Sequence, residues 1–205
     1  FIPGRNRLAI GVTGNRGVEE RLYLESLPGV LQVIQVTKPY KLASRETHQE
    51  GSIIHVGNVQ FGDGNAVMIA GPCAVESLEQ TLRIADSVEN RGAQILRGGA
   101  YKPRTSPYSF QGLGEEGLKI LAEAREKTGL PFVTEVLDTE TISVVAQYAD
   151  MLQIGMRNMQ NFTLLKEVGK AGKPVLMKRG MSATLEETLM SAEYLMVNGC
   201  RDVVI

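Results

Sequence analysis

Three cations, Arg97, Lys102 and Arg104, fall within eight positions that hold a turn at Gly98-Gly99 and the rigid Pro103. The arginines present planar forks that suit carboxylate and phosphate, and the lysine presents a compact point charge. Glu135, Arg157, Lys178, Arg179 and the thiol of Cys73 obey the same rule of position, each standing shortly beyond a short apolar run. Taken alone, the basic loop also reads as a solvated turn. A solvated surface, however, places its cations mostly on helices, and does not place polar or reactive groups after five successive apolar runs. Several cations converging with one carboxylate and one thiol describe a site for multiply anionic molecules, with phosphate and carboxylate as the natural guests.

The thiol leaves two readings open. It is soft, and without a neighbouring histidine base it suits a metal better than nucleophilic catalysis; it also suits a buried core. One cysteine cannot hold a divalent ion, so further donors, His and carboxylates, are expected from strands outside this sequence. His48 and His55, the only histidines, read as linker and hairpin residues.

The elements that must position these groups alternate with short connections. Apolar runs over 66–70, 94–96, 131–134, 151–154, 174–177 and 202–205 read as strands. Helices are expected from Ser77 to about Asn90, from about Gly114 to Thr128 with Gly129 as its stop, over 139–148 and 162–168, and from Thr184 to about Val197. Ser77-Leu78-Glu79-Gln80 and Thr184-Leu185-Glu186-Glu187 have the form of a capping box, in which residue and third neighbour satisfy each other's backbone amides. The opposite ends of the strands carry Asn65, Ala93, Pro131, Asp150 and Pro174, with no comparable gathering of cations. Strand-helix alternation implies a parallel sheet. No glycine-rich dinucleotide fingerprint opens the first helix. A (β/α)8 barrel gathers strand ends on one face, as the positional rule requires, but typically takes about 250 residues. About 140 of the 205 follow Asn65, so the sequence is expected to stop in the sixth strand of a barrel.

Before the barrel, 52–56 and 58–61 read as a hairpin around Gly57, and the polar stretch 38–50 as a linker. Residues 1–37 read as a separate β-α-β unit, with strands over 7–12 and 30–36 and a helix over 17–26. It is too small to stand alone.

The composition is that of an ordinary soluble domain, with 43% hydrophobic and 22% charged residues. A formal net charge of -1 lacks the footprint of a nucleic-acid or membrane-surface protein. Two cysteines are too few for a disulfide framework, which predicts a reducing cytoplasm.

Five stretches together resemble a known family. Gly71-Pro72-Cys73-Ala74-Val75-Glu76-Ser77, residues 96–106, Thr134-Glu135-Val136, Gln153-Ile154-Gly155-Met156-Arg157-Asn158 and Leu176-Met177-Lys178-Arg179-Gly180 keep the motif order of the 3-deoxy-D-arabino-heptulosonate 7-phosphate (DAHP) synthases. The chain is most similar to the subclass with an N-terminal ferredoxin-like regulatory domain, which implies part of that domain at 1–37 and a barrel domain with its hairpin over 51–205. Lys102-Pro103-Arg104-Thr105 is the sharpest element. The related 3-deoxy-D-manno-octulosonate 8-phosphate synthases carry Ala-Asn in the region of Pro103 and use a five-carbon sugar phosphate.

The resemblance implies a transferase that condenses phosphoenolpyruvate with erythrose 4-phosphate, on the way to chorismate and the aromatic amino acids. Carried over residue by residue, it makes Cys73 a ligand of a divalent metal (Mn2+, with Fe2+, Zn2+ or Co2+ as others). Arg97, Lys102, Arg157 and Lys178 would hold phosphoenolpyruvate, and Pro103, Arg104 and Thr105 would receive erythrose 4-phosphate. Lys102 and Glu135 would serve the proton chemistry. A homo-oligomer, a tetramer, and an aromatic amino acid effector are further expectations. Met156 stands where the family commonly has a small residue. Two alternatives keep the barrel: the octulosonate synthase activity, and a non-catalytic sensor of phosphorylated metabolites.

Overall fold

A computed structural model describes residues 2–3, 8–12, 18–34, 37–47 and 49–205. The chain divides into two units, Phe1–Thr37 and Lys38–Ile205. In the first, β1 (Ile2–Pro3) pairs antiparallel with β2 (Leu8–Ala9), and α1 (Val18–Glu25) follows, braced by an Arg21–Glu25 ion pair one turn apart. The β-α-β order expected here is not what the described residues form. Of the strand expected over 7–12 the described residues form only Leu8–Ala9, residues 30–34 carry no strand, and residues 7, 35 and 36 lie outside the described residues. A strand needs a neighbour to take its amides, and among the described residues of its unit this stretch has none; Leu31 stays 78% exposed.

The second unit opens with a segment that is held rather than loose. The Glu193 carboxylate accepts hydrogen bonds from the backbone amides of Lys41, Leu42 and Ala43 at 2.9, 2.9 and 3.0 Å. The expected linker is therefore tied to the helix that carries Glu193 over this stretch. His48 lies outside the described residues. The hairpin β3 (Ile54–Val56) and β4 (Val59–Phe61) turns at Gly57, whose φ of 59° favours glycine.

Six parallel strands then line up in chain order: β5 (Ile69–Ala70), β6 (Ile95–Arg97), β7 (Phe132–Glu135), β8 (Met151–Ile154), β9 (Val175–Met177) and β10 (Val203–Val204). Between them run α2 (Leu78–Glu89), α3 (Glu115–Thr128), α4 (Ile142–Tyr148), α5 (Phe162–Gly169) and α6 (Leu185–Val197). Consecutive parallel order with helical crossovers is the pattern of a (β/α)8 barrel, here formed by six of its strands. No helix among the described residues is long and apolar enough to cross a membrane.

The helix termini follow their local chemistry. Thr184 and Glu187 complete the expected capping box at α6. Ser77 accepts the Gln80 amide at α2, but the reciprocal half is not made: the Gln80 Nε2 donates to Glu76, and its Oε1 takes no hydrogen bond. α4 begins later than the expected residue 139, because Asp138 takes the backbone amide and hydroxyl of Thr141.

The period of two along each strand sorts the core. Leu96, Phe132, Leu152, Ile154, Val175 and Met177 pack against the helices. Ile95, Val133 and Met151 face the other way, with Ile69, Leu176 and Val204 beside them, where the hairpin's Val56 and Val59 close one end. The next inward positions are Arg97, Glu135, Gln153 and Lys178. The alternation that builds the core thus delivers four polar side chains to the inner face directly above it.

Candidate active site

A pocket of about 150 Å³ opens where those strands end, lined by Lys102, Pro103, Arg104, Glu135, Gln153, Gly155, Met156, Arg157 and Lys178. Lys102 to Thr105 come from the long connection after β6, which is tied off at its base. The Lys102 amide donates to Gln111 at 2.8 Å, Tyr101 bridges to Gly112, and the Gly114 amide donates to Ala100 at 3.0 Å. Arg104 donates through Nε to the Phe110 carbonyl at 3.0 Å. Lys102 is only 7% exposed. Gly99 makes room for it: a Cβ there would overlap Lys102 Cδ and lie 2.7 Å from the Cys73 carbonyl oxygen.

Arg157 leaves β8 on a single turn of 3-10 helix, Met156–Asn158, and crosses to the loop. Its guanidinium donates to the Pro103 carbonyl at 2.8 Å and reaches the Thr105 hydroxyl at 3.4 Å. The Asn158 side chain fixes that turn by donating to the Leu137 carbonyl at 3.0 Å. Met156, 42% exposed, and Pro103 are the apolar members of an otherwise polar lining.

Glu135 is the one carboxyl group in the pocket lining. Burial holds it above its ordinary value of 4.5, against the opposing pull of Lys102, Lys178, Arg157 and Arg97. Desolvation penalises the charged form, and here it outweighs four nearby cations. None of these five residues is in a salt bridge among the described residues. Such an excess of positive charge over negative, partly shielded from water, favours a guest carrying several negative charges.

Six of the nine residues expected to form the site therefore line one pocket: Lys102, Pro103, Arg104, Glu135, Arg157 and Lys178. Three do not line it. Thr105 meets it through Arg157. Arg97 acts on Glu135 through its charge, while its backbone packs so closely on Gly71 that a Cβ there would overlap the Arg97 carbonyl oxygen. Cys73 is an exposed free thiol, so the buried-core reading falls to Cys200 instead. Arg179, also noted at a strand end, donates to the Ala183 carbonyl. His55 is exposed on the hairpin.

Two pocket residues were not singled out by sequence, Gln153 and Gly155. The signal for Gln153 was available, since it stands two positions after the inward Met151. For a metal, the residues present do not suffice. Among the described residues no three of His, Cys, Asp and Glu gather to hold an ion, and Cys73 offers one donor.

The model of the DAHP synthetase I family matches residues 38–205, from the first residue of the second unit onwards. The chain belongs to the DAHP synthetase I family. Among members of known sequence, it is 49% identical over 202 residues to a phospho-2-dehydro-3-deoxyheptonate aldolase of Thermotoga maritima. That match takes in 98% of this chain and 60% of the relative, so the chain spans about 60% of that relative's length. A crystal structure of the Thermotoga maritima phospho-2-dehydro-3-deoxyheptonate aldolase (DAHP synthase) superposes with a TM-score of 0.78 at 48% identity, over 92% of this chain and 54% of that one. A truncated form of the Thermotoga maritima synthase gives 0.73, over 80% of this chain and 59% of that one. More distant is a 2-dehydro-3-deoxyphosphooctonate aldolase of Acidithiobacillus ferrooxidans, 33% identical over 67% of this chain and 52% of the relative. These likenesses agree with the six-stranded sheet as part of a DAHP synthetase I barrel.

Proposed function

We propose that this chain supplies the phosphoenolpyruvate-binding part of a DAHP synthase active site, in which phosphoenolpyruvate condenses with erythrose 4-phosphate. In that reaction carbon 3 of phosphoenolpyruvate attacks the aldehyde carbon, water adds at carbon 2, and phosphate leaves with C–O cleavage. One observation carries the reading. Arg97, Lys102, Arg157 and Lys178 leave three different strands, converge on Glu135, and have no salt-bridge partner among the described residues. Phosphoenolpyruvate needs that arrangement, because its phosphate and carboxylate are close together and must both be neutralised.

In this reading Arg97, Arg157 and Lys178 orient phosphoenolpyruvate, and Lys102 both binds it and stands near the atoms that exchange protons. Arg104 and Thr105, at the far side of Pro103, take the phosphate of erythrose 4-phosphate. Glu135 orients the attacking water or accepts its proton. A divalent metal enters the proposal only through Cys73, the one donor proposed for it among the described residues. The same reading extends to residues 1–37 as part of a ferredoxin-like regulatory unit answering to an aromatic amino acid, and to a homo-oligomeric protein.

The test is phosphate release by the intact protein from phosphoenolpyruvate and erythrose 4-phosphate with Mn2+ supplied. Arabinose 5-phosphate in place of erythrose 4-phosphate tests the octulosonate activity. No release with either aldehyde sinks the proposal.

A further inference from the structure

We propose that Gln153 is a positioning residue for Glu135: with the bare Cα of Gly155, it forms the seat that aims the Glu135 carboxyl into the pocket. Glu135 and Gln153 are directly paired across β7 and β8. Gln153 is 8% exposed, and its Nε2 donates to Glu135 Oε2 at 3.4 Å. Its backbone carbonyl accepts from the Val136 amide at 3.0 Å, so the strand register fixes its own base. On the other side, a Cβ at residue 155 would overlap Glu135 Oε1. The carboxyl is thus held between a donor and a space only glycine leaves.

An amide suits that place for a chemical reason. A fifth cation would favour the ionised Glu135 still further, and four, Lys102, Lys178, Arg157 and Arg97, already face it from the ends of β6, β8 and β9. Glutamine is neutral, with a donor on one end and an acceptor on the other. It can hold a carboxylate through its NH2 and, by turning over, a protonated carboxyl through its oxygen. A residue that takes up and gives back a proton in each turnover needs such a partner.

The inference rests on the functional reading above, and its test separates the two. In the intact protein, Gln153→Met keeps the length and loses the donor; Gln153→Leu is the second variant. With phosphoenolpyruvate and erythrose 4-phosphate, kcat is expected to fall about tenfold, the worth of one hydrogen bond, with KM for phosphoenolpyruvate within about twofold. The limb of the pH profile that Glu135→Gln abolishes moves to higher pH, because the amide presents its NH2 to Glu135 and that donor favours the charged form more than the oxygen favours the protonated one. In the Glu135→Gln background, Gln153→Met costs nothing further. An unmoved limb, or losses that multiply in the double variant, overturns the inference. A second readout needs no substrate: the carboxyl infrared band that Glu135→Gln removes is followed against pH, and its midpoint rises in Gln153→Met. A fixed midpoint overturns the seat, whereas absence of phosphate release by the unsubstituted protein overturns the functional reading instead.

Discussion

The guanidinium of Arg157 holds the carbonyl oxygen of Pro103 at 2.8 Å, joining the turn after β8 to the loop after β6. The residue proposed to bind one substrate thereby also fixes the backbone proposed to receive the other. A lysine keeps the charge but has a single nitrogen, without the two spaced guanidinium nitrogens that reach the Pro103 carbonyl and the Thr105 hydroxyl together. Arg157→Lys is expected to raise KM for phosphoenolpyruvate and for erythrose 4-phosphate alike, each about tenfold, and Arg157→Ala more. Steady-state kinetics with each substrate varied in turn checks this. A change in KM for phosphoenolpyruvate alone would mean that the bridge to Pro103 has no functional weight.

The raised pKa of Glu135 has a sign in stability as well as in chemistry. Its value in the fold lies above the ordinary 4.5, so between the two the folded state holds more protons than the unfolded. Stability contributed at this position therefore falls as pH rises from about 4.5 through the folded value. Glu135→Gln imitates the protonated form. It is expected to raise Tm at pH 7 and to leave it unchanged well below pH 4, while lowering kcat by about a hundredfold, within the range for lost acid–base assistance. Thermal unfolding of both proteins across pH 3–8 gives the comparison.

Gly99 is needed for space, not for its backbone angles. A methyl there would stand 2.7 Å from the Cys73 carbonyl oxygen, which cannot give way, and would push Lys102 aside. Gly99→Ala is expected to cost about 1–3 kcal/mol as an overpacked position, and to raise KM for phosphoenolpyruvate about tenfold. Gly92→Ala is the contrast: the site is open, but its φ is +85°, so it costs about 1–2 kcal/mol through strain alone. Its KM is expected to stay put. Denaturant unfolding with kinetics on both variants separates the two causes.

The two thiols differ in reach. Burial pushes Cys200 up to about 11, and its Sγ lies 3.3 Å from the Lys173 carbonyl oxygen; Cys73 is exposed. At pH 8 the folded protein is expected to show one fast-reacting thiol, Cys73. Cys200 should react at least about a hundredfold more slowly, in line with its small thiolate fraction. Dithionitrobenzoate titration of Cys73→Ser, folded and in denaturant, identifies each. If Mn2+ or Zn2+ slows the fast phase, Cys73 is a metal donor.

Much of this was legible in the sequence because strands here obey one rule. An apolar run of alternating face buries its helix-side residues and leaves the first position past the run pointing over the core, so Arg97, Glu135 and Lys178 announced themselves. The Thr184 capping box was equally local, needing only four residues. What was not legible depended on partners far along the chain. The ties of Tyr101 to Gly112 and of Arg157 to Pro103 join residues 11 and 54 positions apart, and no periodicity signals them. Gln153 was passed over because an amide carries no charge to attract notice. The strand expected over 30–36 is not formed by its described residues 30–34 for the opposite reason: the apolar pattern is present, but a pattern does not supply the neighbouring strand.

The central claim is that the strand-end cations bind phosphoenolpyruvate, and calorimetric titration of the intact protein with phosphoenolpyruvate alone tests it most directly. The account predicts saturable binding at one site per chain, weakened at least about a hundredfold in Lys102→Met and again in Arg157→Ala, with Arg104→Ala unaffected. Equal affinity in all four proteins would contradict it.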